Sequence, residues 1–453
     1  MDRELLQAAA DAAVRYASSV DDRAVAPDPE ALAALKAFDE PLPPVGLDPG
    51  ETLRLLDEVG GPATMASTGG RYFGFVIGAT HPVALGSAWL QSAWDQNAAL
   101  PITSPVAAKL HNVVREWLVD LLHLPADTAA VFVTGATMAN AVGLAAGRDA
   151  LLGRLGWDAQ ADGLFGAPPF DVVIGERAHS TLSKSLGLVG LGRGRVTIVP
   201  ADEQGRMRAD LLPDLPGPVL VCAQAGEVNT GACDPFDEIA DWLAGRGGWL
   251  HVDGAFGLWA LADPGRADLV AGLDRADSWA TDAHKWLNVT YDNGIAFVRE
   301  GGDLRRTFAA MAGYLPSDAG FEAMHNTPQS SQRARQVEVW SVLRALGRQG
   351  VADLIARNCD AATTIADRLR AGGLTILNDV VLNQVLVRCV DGPTTEALLA
   401  EIQADGRIWC GPTQWDGATA MRISVSSWKT GVEEAAAAAD VILELAATVR
   451  STG

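Results

Sequence analysis

Two stretches decide the fold: Gly-Trp-Leu-His-Val-Asp-Gly-Ala-Phe-Gly at 248–257 and Thr-Asp-Ala-His-Lys-Trp-Leu-Asn at 281–288. In the first, Asp253 ends an apolar run that is typical of a buried strand. In the second, Lys285 follows 32 positions later, again just after a strand-like run. Ligands of α/β sheets bind at the carboxyl ends of strands. The pair therefore predicts a sheet protein with an acid and an amine at that edge.

Composition excludes several classes of protein. The 453 residues are 48% hydrophobic and 20% charged, which indicates a folded chain of two or three domains. A net charge of −21 argues against a nucleic acid partner. The acidic N-terminus predicts no signal peptide, and no apolar run is long enough for a membrane span. The five cysteines form no C-x-x-C pair, so we expect no metal site and a cytoplasmic, reducing location.

The chain divides into three parts by pattern. Residues 1–61 form a helical N-terminal arm that cannot bury its apolar faces alone. Residues 62–330 alternate strand-like runs with helices, which predicts a mostly parallel sheet covered on both faces. Residues 331–453 form a smaller α+β domain, with a long helix from 331 that Gly350 interrupts. We expect its strands at 373–377, 383–389, 406–410 and 420–424.

The acid and the amine suit one cofactor. Most lysines are solvated surface charges, but Trp286 and Leu287 indicate that Lys285 is partly buried and able to act as a nucleophile. Asp253 could be only a loop carboxylate or a helix cap. A carboxylate at the end of a buried strand needs a cation, however, and a pyridinium nitrogen would supply one. Together they predict pyridoxal 5'-phosphate, which carries an aldehyde for the amine and a ring nitrogen for the acid.

Two further segments support that cofactor. Val131 to Asn140 reads as strand, glycine turn and helix, and the helix start with the Thr137 hydroxyl forms an anion cradle. Most turns of this kind only connect a strand to a helix and bind no anion. His179 follows another strand-like run, where it is either a helix-start histidine or an imidazole stacked on the cofactor ring.

At these residues the chain resembles the group II pyridoxal phosphate-dependent amino acid decarboxylases, the family of aromatic L-amino acid, tyrosine, glutamate and cysteine sulfinate decarboxylases. The resemblance extends over nearly the whole chain. It includes the segments Ser104–His111, Thr134–Thr137, Ala178–Ser180, Gly226–Pro235, His251–Ala255, His284–Trp286 and Arg333–Trp340.

The resemblance implies the type I fold of pyridoxal phosphate-dependent transferases, an α/β class with a seven-stranded large domain. It also implies a homodimer with shared active sites, acting on an amino acid through an external aldimine and a quinonoid. Lys285 would be the Schiff-base lysine and Asp253 the pyridinium partner. His179 and Ala255 would cover the two faces of the ring. The remaining residues would approach the phosphate: Gly135, Ala136, Thr137, Asp282 and His284.

The chain departs from that family where the reaction is completed. Glu227, Val228 and Asn229 stand where relatives carry hydroxyl residues. Relatives also use a loop tyrosine from the neighbouring subunit to protonate the α-carbon. The corresponding loop, 316–328, contains no tyrosine, and Tyr314 lies before it. Because general-acid catalysis needs a donor within reach of the carbanion, His325 is the candidate replacement.

Three functions stay open. The first is decarboxylation, with His325 or water as the proton donor. The second keeps the cofactor but ends in oxidative deamination to an aldehyde, or in β-elimination of the C–S lyase type. The third is a binding or scaffold module that no longer catalyses. The presence of Lys285, Asp253 and His179 together makes the third the weakest.

Overall fold

The computed structural model describes residues 2–309 and 321–452, with side chains up to 449. The described residues divide into two compact units, and the larger contains Thr80–Asp360 and Asn378–Gln384. The smaller contains Met1–Ala79, Ala361–Leu377 and Val385–Gly453. The predicted boundaries at 61/62 and 330/331 stay a prediction.

A seven-stranded sheet forms the centre of the larger unit. Its strands are β1 (Ala129–Val133), β2 (Asp171–Gly175), β3 (Val196–Val199), β4 (Val219–Gln224), β5 (Trp249–Asp253), β6 (Ser278–Asp282) and β7 (Gly294–Val298). Their order is β1-β7-β6-β5-β4-β2-β3. β7 pairs antiparallel with both neighbours, while the other pairs are parallel. The prediction of a mostly parallel seven-stranded sheet is confirmed.

Helices precede, connect and follow these strands along the chain. They are α4 (Pro82–Trp94), α5 (Pro105–Leu121), α6 (Ala136–Arg154), α7 (Ala159–Asp162), α8 (Ser180–Leu188), α9 (Phe236–Leu243) and α10 (Gly301–Phe308). β4 and β5 are buried along their whole length, as expected of a sheet covered on both faces. α6 is buried over most of its surface, and its small residues allow close packing on the strands.

The smaller unit contains the N-terminal arm and a second sheet. The arm consists of α1 (Arg3–Ser19), α2 (Pro29–Ala34) and α3 (Pro49–Leu55), and none of these three helices buries a residue. The second sheet is antiparallel where its pairings are described, in the order β10-β11-β9-β8. Its strands are β8 (Thr375–Ile376), β9 (Gln384–Arg388), β10 (Gly411–Trp415) and β11 (Ala418–Ser424). The remaining helices are α11 (Gln336–Ala371), whose residues up to Asp360 belong to the larger unit, α12 (Gly392–Asp405) and α13 (Val432–Thr452).

Two local predictions are wrong. The strand expected at 406–410 lies instead at Gly411–Trp415, because Gly406 ends α12 in a left-handed conformation and only Trp409 bridges to Tyr72. The long helix begins at Gln336, and its non-helical residue is Gly347 rather than Gly350. Among the described residues, no helix is long and apolar enough to cross a membrane.

Candidate active site

Four strands deliver predicted site residues to one edge of the sheet. β1 leads to Gly135, β2 to His179 and β6 to Asp282, and β5 ends at Asp253. These four strands run in the same direction, so their carboxyl ends share that edge. The structure therefore brings these predicted residues together at one edge, as the strand-end rule predicts, and their roles stay a prediction.

Asp253 is a buried carboxylate that lacks a direct ionic partner among its hydrogen bonds. It is 5% exposed. Its Oδ2 accepts a bond from Asn140 Nδ2 at 2.9 Å, and its Oδ1 accepts the Ala255 N–H at 3.2 Å. Burial raises the pKa of Asp253, while the charges of His179 and Lys285 act in the opposite direction. Since a buried carboxylate is stabilised by a nearby cation, this position favours a ligand with a positively charged nitrogen.

Lys285 lies beside Asp282, three residues earlier. Its Nζ is 3.1 Å from Asp282 Oδ2, and its side chain is 21% exposed. The other oxygen, Asp282 Oδ1, accepts the Ala136 N–H at 2.6 Å. This bond joins the end of β6 to the first turn of α6. The amine and the predicted phosphate cradle are therefore held by the same carboxylate.

His284 forms the side of the cradle. Its Nδ1 accepts the Asn293 N–H at 3.0 Å, so the neutral ring carries its proton on Nε2. Nε2 is 3.5 Å from Asp282 Oδ1. Burial lowers the pKa of His284, which favours this neutral form. A Cβ on Gly135 would lie 3.3 Å from His284 Cε1, so the turn passes close to the ring.

His179 caps the start of α8. Its Nδ1 accepts the Thr181 N–H at 3.3 Å and lies 2.6 Å from Thr181 Oγ1, which fixes the ring from one side. Ser185 on the same helix donates to the carbonyl of Thr137 at 2.8 Å. The helix that carries His179 is therefore tied to the cradle that contains Thr137. This capping position is compatible with both suggested roles of His179, as a helix-start histidine and as an imidazole stacked on the cofactor ring.

His325 belongs to a different part of the larger unit. It ends the single turn Ala323–His325 and is buried, with Nε2 3.5 Å from Glu322 Oε2. The preceding Phe321 stacks on His111 at a centroid distance of 3.7 Å. These contacts do not join His325 to the Lys285 cluster, so its role stays a prediction. Residues 316–320 of the predicted loop, and Tyr314, lie outside the described part of the chain.

The unusual segment after Gly226 has a structural explanation. The Glu227 carboxylate accepts the N–H groups of Asn229 and Thr230 at 2.7 and 2.8 Å, and also the Asn229 amide at 2.9 Å. Burial raises the pKa of Glu227, while these bonds lower it. The Glu227 carboxylate therefore stabilises the turn formed by the residues that follow it.

These residues fit pyridoxal phosphate. Asp253 would hold the ring nitrogen, and Lys285 supplies the amine for the aldehyde. Backbone N–H groups at the start of α6 and the His284 ring would hold the phosphate. Ala255 is half-buried and donates its N–H to Asp253, so its small side chain would lie against the ring.

Sequence reasoning missed the residues that support Asp253. Asn140 lies on α6 and Ser278 begins β6, and both are completely buried. Asn140 bonds to Asp253 and to His251, while Ser278 bonds to His251 and to Trp249. The sequence signal that could have identified Asn140 is a polar residue within the alanine- and glycine-rich helix α6.

A site of this composition on this fold defines a class of pyridoxal phosphate-dependent proteins. Residues 66–389 match the family model described as the pyridoxal-dependent decarboxylase conserved domain, and the chain belongs to that family. The predicted family, fold class and cofactor are confirmed.

Individual relatives agree with this assignment. The chain is 32% identical over 313 residues to L-2,4-diaminobutyrate decarboxylase from Rhizobium meliloti (strain 1021), covering 66% of this chain and 59% of the relative. It is 27% identical over 321 residues to aromatic-L-amino-acid decarboxylase from Bacillus atrophaeus, covering 68% and 65%. These matches thus span less than two thirds of the relatives' length. The solved structure of Oryza sativa TDC with PLP and tryptamine matches with a TM-score of 0.89 at 21% identity, covering 98% and 97% of the two chains, and supports the fold.

Proposed function

We propose that the protein is a pyridoxal phosphate-dependent carboxy-lyase that removes the carboxyl group of an L-amino acid. The observation that carries this proposal is that buried Asp253 ends β5 while Lys285 follows the end of the adjacent strand β6, where its charge acts on Asp253, in a chain of the decarboxylase family. The names of the two curated relatives differ in their amino acid, so the proposal names the reaction and not the substrate.

Each residue of the site has a separate task. When bound, pyridoxal phosphate supplies an electron-withdrawing ring that makes bonds at the α-carbon of an attached amino acid weaker. Asp253 would stabilise a proton on the ring nitrogen, because its buried negative charge favours a cation there. Lys285 offers its amine beside the cradle, where Asp282 holds it. His179, held by its contact with Thr181, would cover one face of the ring.

Decarboxylation requires one proton at the α-carbon after CO2 leaves, so the products are one amine and one CO2 per substrate. His325 is the proposed donor. Its burial beside Glu322 supports the proposal, since the contact of its Nε2 with Glu322 Oε2 at 3.5 Å gives the imidazole a defined position. A buried donor also keeps bulk water from competing for the transfer.

A second outcome is favoured by a specific observation. The segment 316–328 contains no tyrosine, and Phe321, which begins its described part, has no proton to give. If no group protonates the α-carbon, oxygen can oxidise it. Substrate, O2 and water would then give aldehyde, CO2, ammonia and hydrogen peroxide. A substrate with a leaving group on its β-carbon would instead lose that group and give a keto acid and ammonia without CO2.

One experiment separates these outcomes. Purified protein loaded with pyridoxal phosphate is incubated with single L-amino acids, including aromatic, acidic, diamino and sulfur-containing ones. CO2, oxygen, amine, aldehyde, peroxide and keto acid are measured together. Equal amounts of CO2 and amine without oxygen uptake support decarboxylation. Oxygen uptake with peroxide, or keto acid without CO2, supports the second outcome.

The scaffold alternative predicts a different result. A protein that only keeps the fold would show no visible absorbance from a covalently held cofactor. A band that borohydride reduction removes, and that the Lys285→Ala variant lacks, would reject this alternative.

We also propose a homodimer. The arm supports it, because α1, α2 and α3 bury no residue and because the segment 42–47 carries strongly exposed apolar side chains. Leu42 is 94% exposed and Val45 is 76% exposed. Such surfaces usually mark a protein interface. Light scattering would test the state, and a monomer would reject it. A cytoplasmic location is likewise proposed, supported by five free cysteines, all buried.

A further inference from the structure

A chain of buried polar side chains runs along β5 and ends at Asp253. Trp249 Nε1 donates to Ser278 Oγ at 2.9 Å, and Ser278 Oγ lies 2.8 Å from His251 Nδ1. His251 Nε2 lies 2.9 Å from Asn140 Oδ1, and Asn140 Nδ2 donates to Asp253 at 2.9 Å. Each of the five side chains is at most 5% exposed. The chain thus connects the first residue of β5 with the last.

The donors and acceptors of this chain allow one direction. An ionised Asp253 can only accept, so the Asn140 amide turns its NH2 group towards Asp253 and its carbonyl oxygen towards His251 Nε2. The neutral His251 ring then carries its proton on Nε2 and donates to Asn140. Its Nδ1 therefore accepts from the Ser278 hydroxyl, and that hydroxyl accepts from the indole N–H of Trp249, which can only donate. Every hydrogen bond points towards the carboxylate.

Helix α6 is shaped to accommodate this chain. A Cβ on Gly143 would lie 2.7 Å from His251 Nδ1, and a Cβ on Gly147 would lie 2.8 Å from Trp249 Nε1. Asn140, Gly143 and Gly147 recur at helical spacing and share one face of α6. That face brings one polar side chain to Asp253 and leaves space for the rings of the strand.

We propose that Trp249, Ser278, His251 and Asn140 form a one-way hydrogen-bond relay that positions Asp253 and keeps it ionised towards the ring nitrogen of bound pyridoxal phosphate. The four are positioning residues, since only Asp253 would touch the cofactor. The proposal rests on the family cofactor and is independent of how the reaction ends.

The physical argument is one of charge and cooperativity. A hydrogen bond donated to a carboxylate favours its ionised form, and successive aligned bonds polarise one another. The other titratable groups that act on or beside Asp253 are His179, Lys285 and the Cys222 thiol of β4. Burial lowers the pKa of His251 to about 3, so the relay histidine stays neutral at physiological pH. A charged His251 would have to donate from both nitrogens and would reverse the Ser278 bond.

The first test uses protein without cofactor. Histidine nitrogens are labelled with 15N, and the His251 signal is assigned by its loss in His251→Gln. The relay predicts a neutral ring with its proton on Nε2 between pH 8 and about 5, because the folded pKa lies below that range. A proton on Nδ1, or titration near about 6.5, the ordinary value for histidine, overturns the proposal.

The second test compares matched variants after loading with pyridoxal phosphate. Trp249→Phe removes the first donor and keeps an aromatic ring. Its control is Trp279→Phe, because Trp279 is equally buried but donates to the Leu273 carbonyl outside the relay. Ser278→Ala is likewise paired with Ser341→Ala, since Ser341 Oγ donates to the Val337 carbonyl.

The readouts are the cofactor dissociation constant and the pH midpoint of the bound cofactor's visible absorption. Asn140→Leu should weaken cofactor binding about tenfold or more, since it removes a bond to a charged group. Ser278→Ala should weaken cofactor binding less than Asn140→Leu, and Trp249→Phe should weaken it least. All three variants should shift the pH midpoint of the visible absorption. The controls should leave the midpoint unchanged. Equal shifts of the pH midpoint in Trp249→Phe and Trp279→Phe would overturn the relay, because the effect would then come from the loss of packing alone. Because neither readout requires turnover, failure of the proposed reaction would leave this result intact.

Discussion

The end of β5 and the turn at 322–325 each place a histidine near an acid. The two regions differ in how many of their polar atoms have a hydrogen-bond partner. At β5, both oxygens of Asp253 and both nitrogens of His251 have hydrogen-bond partners. At the turn, Glu322 Oε2 faces His325, while Glu322 Oε1 is buried with no hydrogen-bond partner among the described residues. A buried acceptor without a partner costs about 1–3 kcal/mol.

This difference separates two halves of the chemistry. The β5 region is complete in its polar contacts, so it can hold a cofactor in one geometry. The 322–325 turn leaves one buried carboxylate oxygen of Glu322 without a hydrogen-bond partner among the described residues, so its polar contacts fix the geometry less completely. Under the proposed function, capture of the substrate is assigned to the first region, and protonation of the α-carbon is assigned to the second.

The largest effect should come from removing the amine of the first region. Lys285→Ala should lower turnover by at least about a thousandfold, because no other group there replaces the nucleophile. It should also abolish the visible absorption band that borohydride reduction removes. The matched control is Lys184→Ala, which removes an exposed lysine of α8. Turnover of Lys285→Ala within about tenfold of the parent would show that the first region does not perform the capture.

The second region is tested by His325→Gln. General-acid groups contribute about a hundredfold or more, so amine formation should fall by about that factor. CO2 release should fall less than amine formation, with the difference appearing as aldehyde and peroxide. His123→Gln changes an exposed histidine and should have no effect. If His325→Gln forms amine at the parent rate, the proton comes from another donor.

The contrast also explains what the sequence could predict. Strand ends are local patterns, so Asp253, Lys285, His179 and the cradle at Ala136 could be assigned from apolar runs and the residues that follow them. The structure brings them to one edge because parallel strands align their carboxyl ends. The seven strands of the large sheet were predictable for the same reason.

The supporting contacts were not predictable in this way. Asn140 and Ser278 are separated by 138 positions and meet through His251, and no local pattern encodes that meeting. The C-terminal strand at Gly411–Trp415 was missed because only its first and last residues are buried. It therefore lacks the alternation of apolar and polar residues that predicts a strand. The role of His325 depends on neighbours from several segments, which a sequence pattern does not specify.

A smaller effect should follow from disturbing the helix face that packs on β5. Gly143→Ala places a Cβ 2.7 Å from His251 Nδ1 and should lower the free energy of unfolding by about 1–3 kcal/mol. Gly153→Ala is the control on the same helix, because its Cβ meets nothing within 4 Å. It should be neutral or stabilising by up to about 1 kcal/mol, since alanine favours helix. Chemical denaturation measures both. Equal changes would mean that the close approach at Gly143 is not tight in solution.

The smallest effect should sharpen the description of the cradle. Asp282 occupies the Ala136 N–H with a negative charge, which opposes a phosphate at the same helix start. Asp282→Asn keeps an acceptor for that N–H and removes the charge, so protein without cofactor should bind inorganic phosphate about threefold to tenfold more tightly. Asp277→Asn is the control, because Asp277 accepts the Leu250 N–H just before the opposite end of β6. Calorimetry measures both affinities. Weaker phosphate binding in Asp282→Asn would mean that Asp282 serves the cradle chiefly by holding Lys285 and His284 in place, so that its positioning role outweighs its charge.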